Sequence, residues 1–169
     1  MGTFSKAELT EAFAQFQATV DRAAKSGDWN LFVDLFTEDV EYIEHSYGTF
    51  HGREAVRAWA LKTMTSFPGS HMTEFPANWF VVDEERDRIV CEIDNPMRDP
   101  GDGSVYTAAN LTILTYAGDG QWSCEEDVYN PLEFSSMAMG WCKRAEELGT
   151  ITDEARAWQA KMSAMFRPA

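Results

Sequence analysis

Only three histidines occur in the chain, His45, His51 and His71. A neutral imidazole can take up and return a proton near physiological pH, and a neighbouring carboxylate fixes its tautomer and raises its basicity. A histidine–aspartate pair in an apolar cup is thus sufficient to remove a proton next to a carbonyl or phenol. It can equally drive loss of water, or of a carbon fragment, from the adjacent carbon. Asn110 stands in the otherwise apolar and threonine-rich run from Ala108 to Tyr116. A buried amide is costly unless hydrogen-bonded, so Asn110 needs a partner, either a neighbouring strand or a substrate oxygen. Tyr42 and Tyr106 are candidates for the same contact, although aromatic side chains often simply pack.

Other chemistries lack their residues. The histidines and cysteines show no HxxxH or CxxC spacing, and the acidic clusters read as solvated faces, so no metal is expected. GxGxxG, GxxxxGK[ST] and GxSxG are all missing from the sequence, which removes the usual dinucleotide, nucleotide and serine-hydrolase signatures. Chemistry without a cofactor is the expectation that survives. A formal net charge of −14 repels phosphate backbones and anionic lipid, so neither nucleic acid nor membrane is an expected partner. The odd trio Cys91, Cys124 and Cys142 argues against a disulfide framework, and charges within residues 1–11 argue against a signal peptide. A cytoplasmic location is expected.

The elements that must position these residues follow from pattern. Ser5-Lys-Ala-Glu8 is a capping box, followed by Leu9, Phe13, Phe16 and Val20 at helical spacing, with Gly27 as the stop. Asp28 is placed to cap a short second helix that buries Phe32, Leu35 and Phe36. Residues 40–45 alternate as a strand. A third helix from Arg53 carries Val56, Trp59, Ala60 and Met64 on one face and stops before Pro68-Gly69. Trp59 thereby joins the expected substrate contacts. Strands are predicted over 71–82, 87–97, 104–117 and 120–130, then helices over 132–148 and 153–166. Helices grouped around a run of strands indicate an α+β fold, with an antiparallel sheet curling into a cup against the helices. The expected organisation is a cup domain over 1–131 and a C-terminal helical extension over 132–169, serving as a lid or a dimer contact.

Gly27-Asp-Trp-Asn-Leu-Phe32, Leu35-Phe-Thr-Glu-Asp-Val40 and Gly48-Thr-Phe-His-Gly-Arg-Glu-Ala-Val56 resemble the opening of SnoaL-like proteins of the nuclear transport factor 2-like superfamily. The resemblance implies a cone-shaped curved antiparallel sheet packed on N-terminal helices. A narrower resemblance is to the dehydratase branch that includes scytalone dehydratase and the bile-acid dehydratases. It implies a catalytic role for His71, at the start of the first long meander strand. Ala109-Asn110-Leu111 is similar to a substrate-contacting segment there, and His45 falls where a substrate-contacting tyrosine stands. The second acid–base group is implied at the end of the next strand, where Asp94 or Asp99 stands. Alternation puts Ile89, Cys91 and Ile93 on one face of that strand, so Asp94 points into the cup only if a bulge intervenes near Asn95-Pro96. Asp99 falls at the cup's mouth.

These readings converge on a cofactor-independent lyase or dehydratase for a hydrophobic, hydroxylated aromatic or polycyclic small molecule. His71 is the expected acid–base group, with Asp94 or Asp99 assisting and His45, Tyr42, Tyr106, Asn110 and Trp59 around the substrate. The alternatives are an isomerase or polyketide-type cyclase using His45, and a non-catalytic binding or assembly module. A homodimer or higher homo-oligomer is expected.

Overall fold

The computed structural model describes residues 2–165. Helix α1 (Lys6–Ser26) starts at Ser5, whose side chain accepts the Glu8 N–H, and stops at Gly27 with φ of 73°. That left-handed conformation is nearly strain-free only for glycine. The Asp28 carboxylate accepts the Asn30 N–H at 3.1 Å, tying down the start of α2 (Asn30–Val33). Strand β1 (Phe36–Glu44), the short β2 (Gly48–His51) and helix α3 (Arg53–Met64) follow. The remaining strands are β3 (Ala77–Asp83), β4 (Arg88–Asp94), β5 (Ala109–Gly118) and β6 (Gln121–Val128), and the helices α4 (Pro131–Leu148) and α5 (Asp153–Met165) come last. Phe166, expected to end the last helix, lies outside the described residues.

The six strands form one curved sheet in the order β2-β1-β6-β5-β4-β3. Strands β3 to β6 make the expected antiparallel meander. The sheet as a whole is mixed, however, because β1 joins β6 in parallel. The connection from β1 passes through β2, α3 and the meander before returning, so the two strands run the same way. The parallel junction sets Tyr42 opposite Glu125 and Glu44 opposite Asp127. The predicted strand 71–82 is shorter in the structure, because Gly69–His71 is a turn of 3-10 helix. The predicted strand 104–117 likewise begins only at Ala109. Pro96 gives no ladder N–H, so the pairing there is irregular, although the Asn95 and Met97 N–H groups still donate to the Ala108 and Tyr106 carbonyls at 2.9 and 2.8 Å.

The inner sheet face and α1–α3 enclose one core, including Leu9, Phe16, Val33, Phe36, Ile89, Leu114 and Trp122. A second cluster forms where α4 and α5 close over the other end: Phe67, Met97, Met137, Trp141, Cys142 and Ala155. Gly140 lets α4 approach closely, since a Cβ there would lie 3.1 Å from a ring carbon of Tyr106. The Trp141 indole N–H donates to the Arg98 carbonyl at 2.6 Å, anchoring α4 to the segment after β4. No helix among the described residues is long and apolar enough to cross a membrane. Trp141→Ala removes both the hydrogen bond and a fully buried ring. Urea unfolding is expected to show a loss of about 3–5 kcal/mol, against less than about 0.5 kcal/mol for Leu132→Ala on the exposed side of the same helix.

Candidate active site

Between the sheet and the helices lies a cavity of about 650 Å3. Its walls are largely apolar and aromatic, with Phe16, Trp29, Phe32, Trp59, Met64 and Phe75 among them. Its polar end is built by three adjacent strands. Alternation along β1 turns Val40, Tyr42 and Glu44 inward. On β6, Glu125 and Asp127 line the cavity, and on β5 Asn110 and Thr112 do so. The register then makes cross-strand rows: Tyr42 beside Glu125, and Glu44 beside Asp127 beside Thr112.

The Tyr42 hydroxyl lies 2.7 Å from Asp127 Oδ2 and 3.1 Å from Glu125 Oε1. A hydroxyl has one proton and two acceptor sites. Both contacts are hydrogen bonds only if Tyr42 donates to one carboxylate and the other carboxyl is protonated and donates to Tyr42. The remaining partners decide which. Asp127 Oδ1 accepts from Thr112 Oγ1 at 2.6 Å and from Asn110 Nδ2 at 2.9 Å, as an anion should. Glu125 Oε2 is buried with no partner among the described residues, which suits a neutral carboxyl. Burial, and then the charge of Asp127, push Glu125 well above the ordinary carboxylate range. Burial raises Asp127 to about 6, and the donors Thr112, Tyr42 and Asn110 hold it from rising further. Tyr42 is itself held protonated, by burial first and then by the two carboxylates. The resting arrangement is an anionic Asp127, a protonated Glu125 and a neutral tyrosine between them.

The supporting shell is continuous. Asn95 Nδ2 donates to Asn110 Oδ1 at 2.8 Å, which orients the Asn110 amide with its nitrogen toward Asp127. Glu44 accepts the backbone N–H groups of Ser46 and Tyr47 at 2.8 and 2.9 Å and the Tyr129 hydroxyl. The Trp59 ring lies over Tyr42 with centroids 4.8 Å apart, and its indole N–H is buried without a partner among the described residues. Among those residues, no group of three or more His, Cys, Asp or Glu side chains is arranged to hold a metal ion.

The residues singled out by sequence fall into two sets. Tyr42, Asn110 and Trp59 line the cavity. His71, His45, Asp94, Asp99 and Tyr106 are not among its lining residues. His71 is buried, 5% exposed, and stands edge-on between Phe67 and Trp141 in the second apolar cluster. Its Nδ1 meets the Ser70 hydroxyl at 3.0 Å, and its Nε2 has no partner among the described residues. Burial, and then the charge of Arg98, lower it to about 4. His45 is exposed at the end of β1 and pairs with Glu126 at 2.9 Å. Against β5 the register of β4 runs unbroken through Ile93 and Asp94, and the irregularity against β3 places its extra residue in β3, between Ala77 and Trp79, so Asp94 is not turned inward. Asp99 caps its own turn, accepting the N–H groups of Gly101, Asp102 and Gly103 at 2.7, 3.0 and 2.9 Å. Tyr106 packs against α4.

Glu44, Glu125 and Asp127 were not singled out, because Glu125-Glu-Asp127 reads as a solvated acidic run. The available signal was Asn110, an inward polar residue that required a partner on the adjoining strand.

Comparison with known proteins gives the family and the fold. A family profile described as a SnoaL-like domain matches residues 16–124. No curated protein sequence matches the chain significantly. Among solved structures, a candidate SnoaL-like polyketide cyclase from Jannaschia sp. CCS1 superposes with a TM-score of 0.61 at 18% identity, covering 81% of this chain and 96% of that one. A candidate isomerase from Bacillus subtilis gives 0.61 at 16% identity, covering 79% and 95%. An NTF2-like protein from Anabaena variabilis gives 0.57 at 17%, covering 77% and 95%. The dehydratase branch is not specifically supported by these relatives.

A neutral buried His71 has a consequence for stability. Its pKa in the folded protein, about 4, lies below the ordinary value near 6.5. The unfolded chain therefore binds the proton first as pH falls, and stability is lost between about pH 6.5 and 4. Comparing wild type with His71→Phe by urea unfolding, the wild type is expected to lose ~2–3 kcal/mol relative to the variant across that window. A constant difference would show that His71 titrates normally.

Proposed function

From the premise that this chain belongs to the SnoaL-like domain family, we propose that it is a cofactor-independent acid–base enzyme that moves a proton next to a carbonyl of a hydrophobic small molecule. The product is an isomer or an aldol-type cyclised ring. The observation that carries this reading is the Tyr42 hydroxyl held between Glu125 and Asp127 at the polar end of an apolar cavity.

Each group has a distinct task. Asp127 is the base: three of its roughly four acceptor sites are filled, which leaves one on Oδ2, the oxygen that accepts only from Tyr42. A base titrating near 6 is ionised at neutral pH yet still basic enough to take a weakly acidic carbon-bound proton. As the C–H bond breaks, its electron pair moves into the carbonyl and leaves an enolate oxygen. The unpartnered Trp59 N–H supplies one donor for that oxygen, and Glu125 supplies a second by turning its one proton, shared at rest with Tyr42, toward the enolate. Asp127 then returns the proton to a different carbon in an isomerisation. In a cyclisation the enolate carbon attacks a second carbonyl of the same molecule, whose oxygen takes the proton. Elimination of water from a β-hydroxy carbonyl begins with the same abstraction, so a lyase would use the same pair. A histidine-centred dehydratase is less well supported, because His71 faces Phe67 and Trp141 and is not among the cavity-lining residues.

The test is exchange of α-hydrogens for deuterium in an enolisable ketone that fits the cavity, 2-tetralone, followed by NMR. Wild type is expected to accelerate exchange, with a rate that rises with pH through a midpoint near 6. Asp127→Asn is expected to lose about 10²–10⁴-fold, whereas Glu125→Gln, which keeps a donor, loses far less. Binding of the ketone without enzyme-dependent exchange would favour a binding module instead.

The proton accounting yields a second test. The Tyr42 hydrogen bond holds Asp127 down, so Tyr42→Phe is expected to move the exchange midpoint to higher pH. An unmoved midpoint would mean that Tyr42 does not stabilise the ionised base.

A further inference from the structure

The cavity lining carries charges of both signs. One end holds the carboxyl groups of Glu44, Glu125 and Asp127. Only two cationic side chains line it among the described residues, Lys62 on α3 and Lys161 on α5. Both are exposed, and neither takes part in an ion pair among the described residues. Lys161 follows Trp158 by one helical turn, and Trp158 packs on Phe67 at 5.2 Å, so α5 presents Trp158 and Lys161 to the same wall. In a chain carrying −14 overall, an anion approaching at random is repelled, and two exposed, unpaired lysines on the cavity lining create a local exception.

Resting on the acid–base reading above, we propose that the substrate is an anionic carbonyl compound: an apolar, ring-bearing body with an enolisable carbonyl at one end and a carboxylate at the other. The carboxylate sits at the mouth between Lys62 and Lys161, and the carbonyl reaches Glu125 and Asp127. The charge pattern also sets direction. A ligand entering carboxylate-first would place its charge against the Asp127 anion in a low-dielectric cavity, where like charges repel strongly. The productive orientation instead leaves the charge in the solvated mouth and the neutral end inside.

The experiment compares two probes that differ in charge and by one methyl group, 2-naphthaleneacetate and its methyl ester. Binding is followed by quenching of the cavity-lining tryptophans Trp29, Trp59 and Trp158. Wild type is expected to bind the carboxylate roughly fivefold to tenfold more tightly than the ester at low ionic strength. That preference is expected to fall as salt is added. In Lys62→Gln/Lys161→Gln the carboxylate weakens to the affinity of the ester, while the ester is unchanged. Equal binding of the two probes by wild type would overturn the proposal, as would a preference that survives in the double variant. Asp127→Asn separates this from the catalytic reading: it abolishes ketone exchange if Asp127 is the base, but it retains the preference for the carboxylate if the lysines set it.

Discussion

One phenolic proton stands between two buried carboxyl groups, and that constraint organises the rest of the site. Two ionised carboxylates about 5 Å apart repel by on the order of 3 kcal/mol at an effective dielectric near 20, equivalent to roughly two units of pKa. Burial adds to that penalty. The arrangement at Tyr42, Glu125 and Asp127 relieves it by keeping one carboxyl protonated. Which one is decided by the surroundings: Asp127 has Thr112 and Asn110 as further donors, whereas one Glu125 oxygen has no partner among the described residues. Two carboxyl groups of nearly the same intrinsic acidity are thereby held in different protonation states, the pairing that the proposed acid–base chemistry needs.

The fold provides this through strand direction. The parallel return of β6 alongside β1 brings Tyr42 to Glu125, and the antiparallel pairing of β6 with β5 brings Thr112 to Asp127. The second pairing is a local hairpin, but the first joins strands more than 80 residues apart, so the site forms only when β6 has returned to β1. Helices α4 and α5 finish the enclosure and are held by a separate apolar cluster around Phe67 and Trp141. His71 belongs to that cluster. Its imidazole serves as an aromatic packing element between the two rings, and the low dielectric around it keeps it neutral.

Apart from the short β2 (Gly48–His51), the element order, the capping of α1 at Ser5, the stop at Gly27 and the curved α+β architecture were legible in sequence, because caps, glycine stops and alternation are local signals. The parallel β1–β6 junction was not, since strand direction across a long crossover leaves no local pattern. The site was legible in part. Tyr42, Asn110 and Trp59 were identifiable as polar or aromatic residues on inward faces, and Asn110 announced a missing partner. That partner, Asp127, was hidden in Glu125-Glu-Asp127, where an acidic run resembles solvated surface until the register shows which members turn inward. His71 attracted attention by its residue type, but its chemistry depends on burial, which the sequence around Pro68-Gly69 does not reveal.

The most direct test of the shared-proton arrangement is a carbon-13 NMR titration of the side-chain carboxyl groups in protein labelled at aspartate and glutamate, with Asp127→Asn and Glu125→Gln as assignment variants. The account predicts that Glu125 remains protonated at pH 7 while Asp127 titrates near 6, and that Glu125 ionises more readily once Asp127 is neutralised by substitution. Two carboxylates that are both ionised at pH 7, each titrating near 4 and independently of the other, would contradict it.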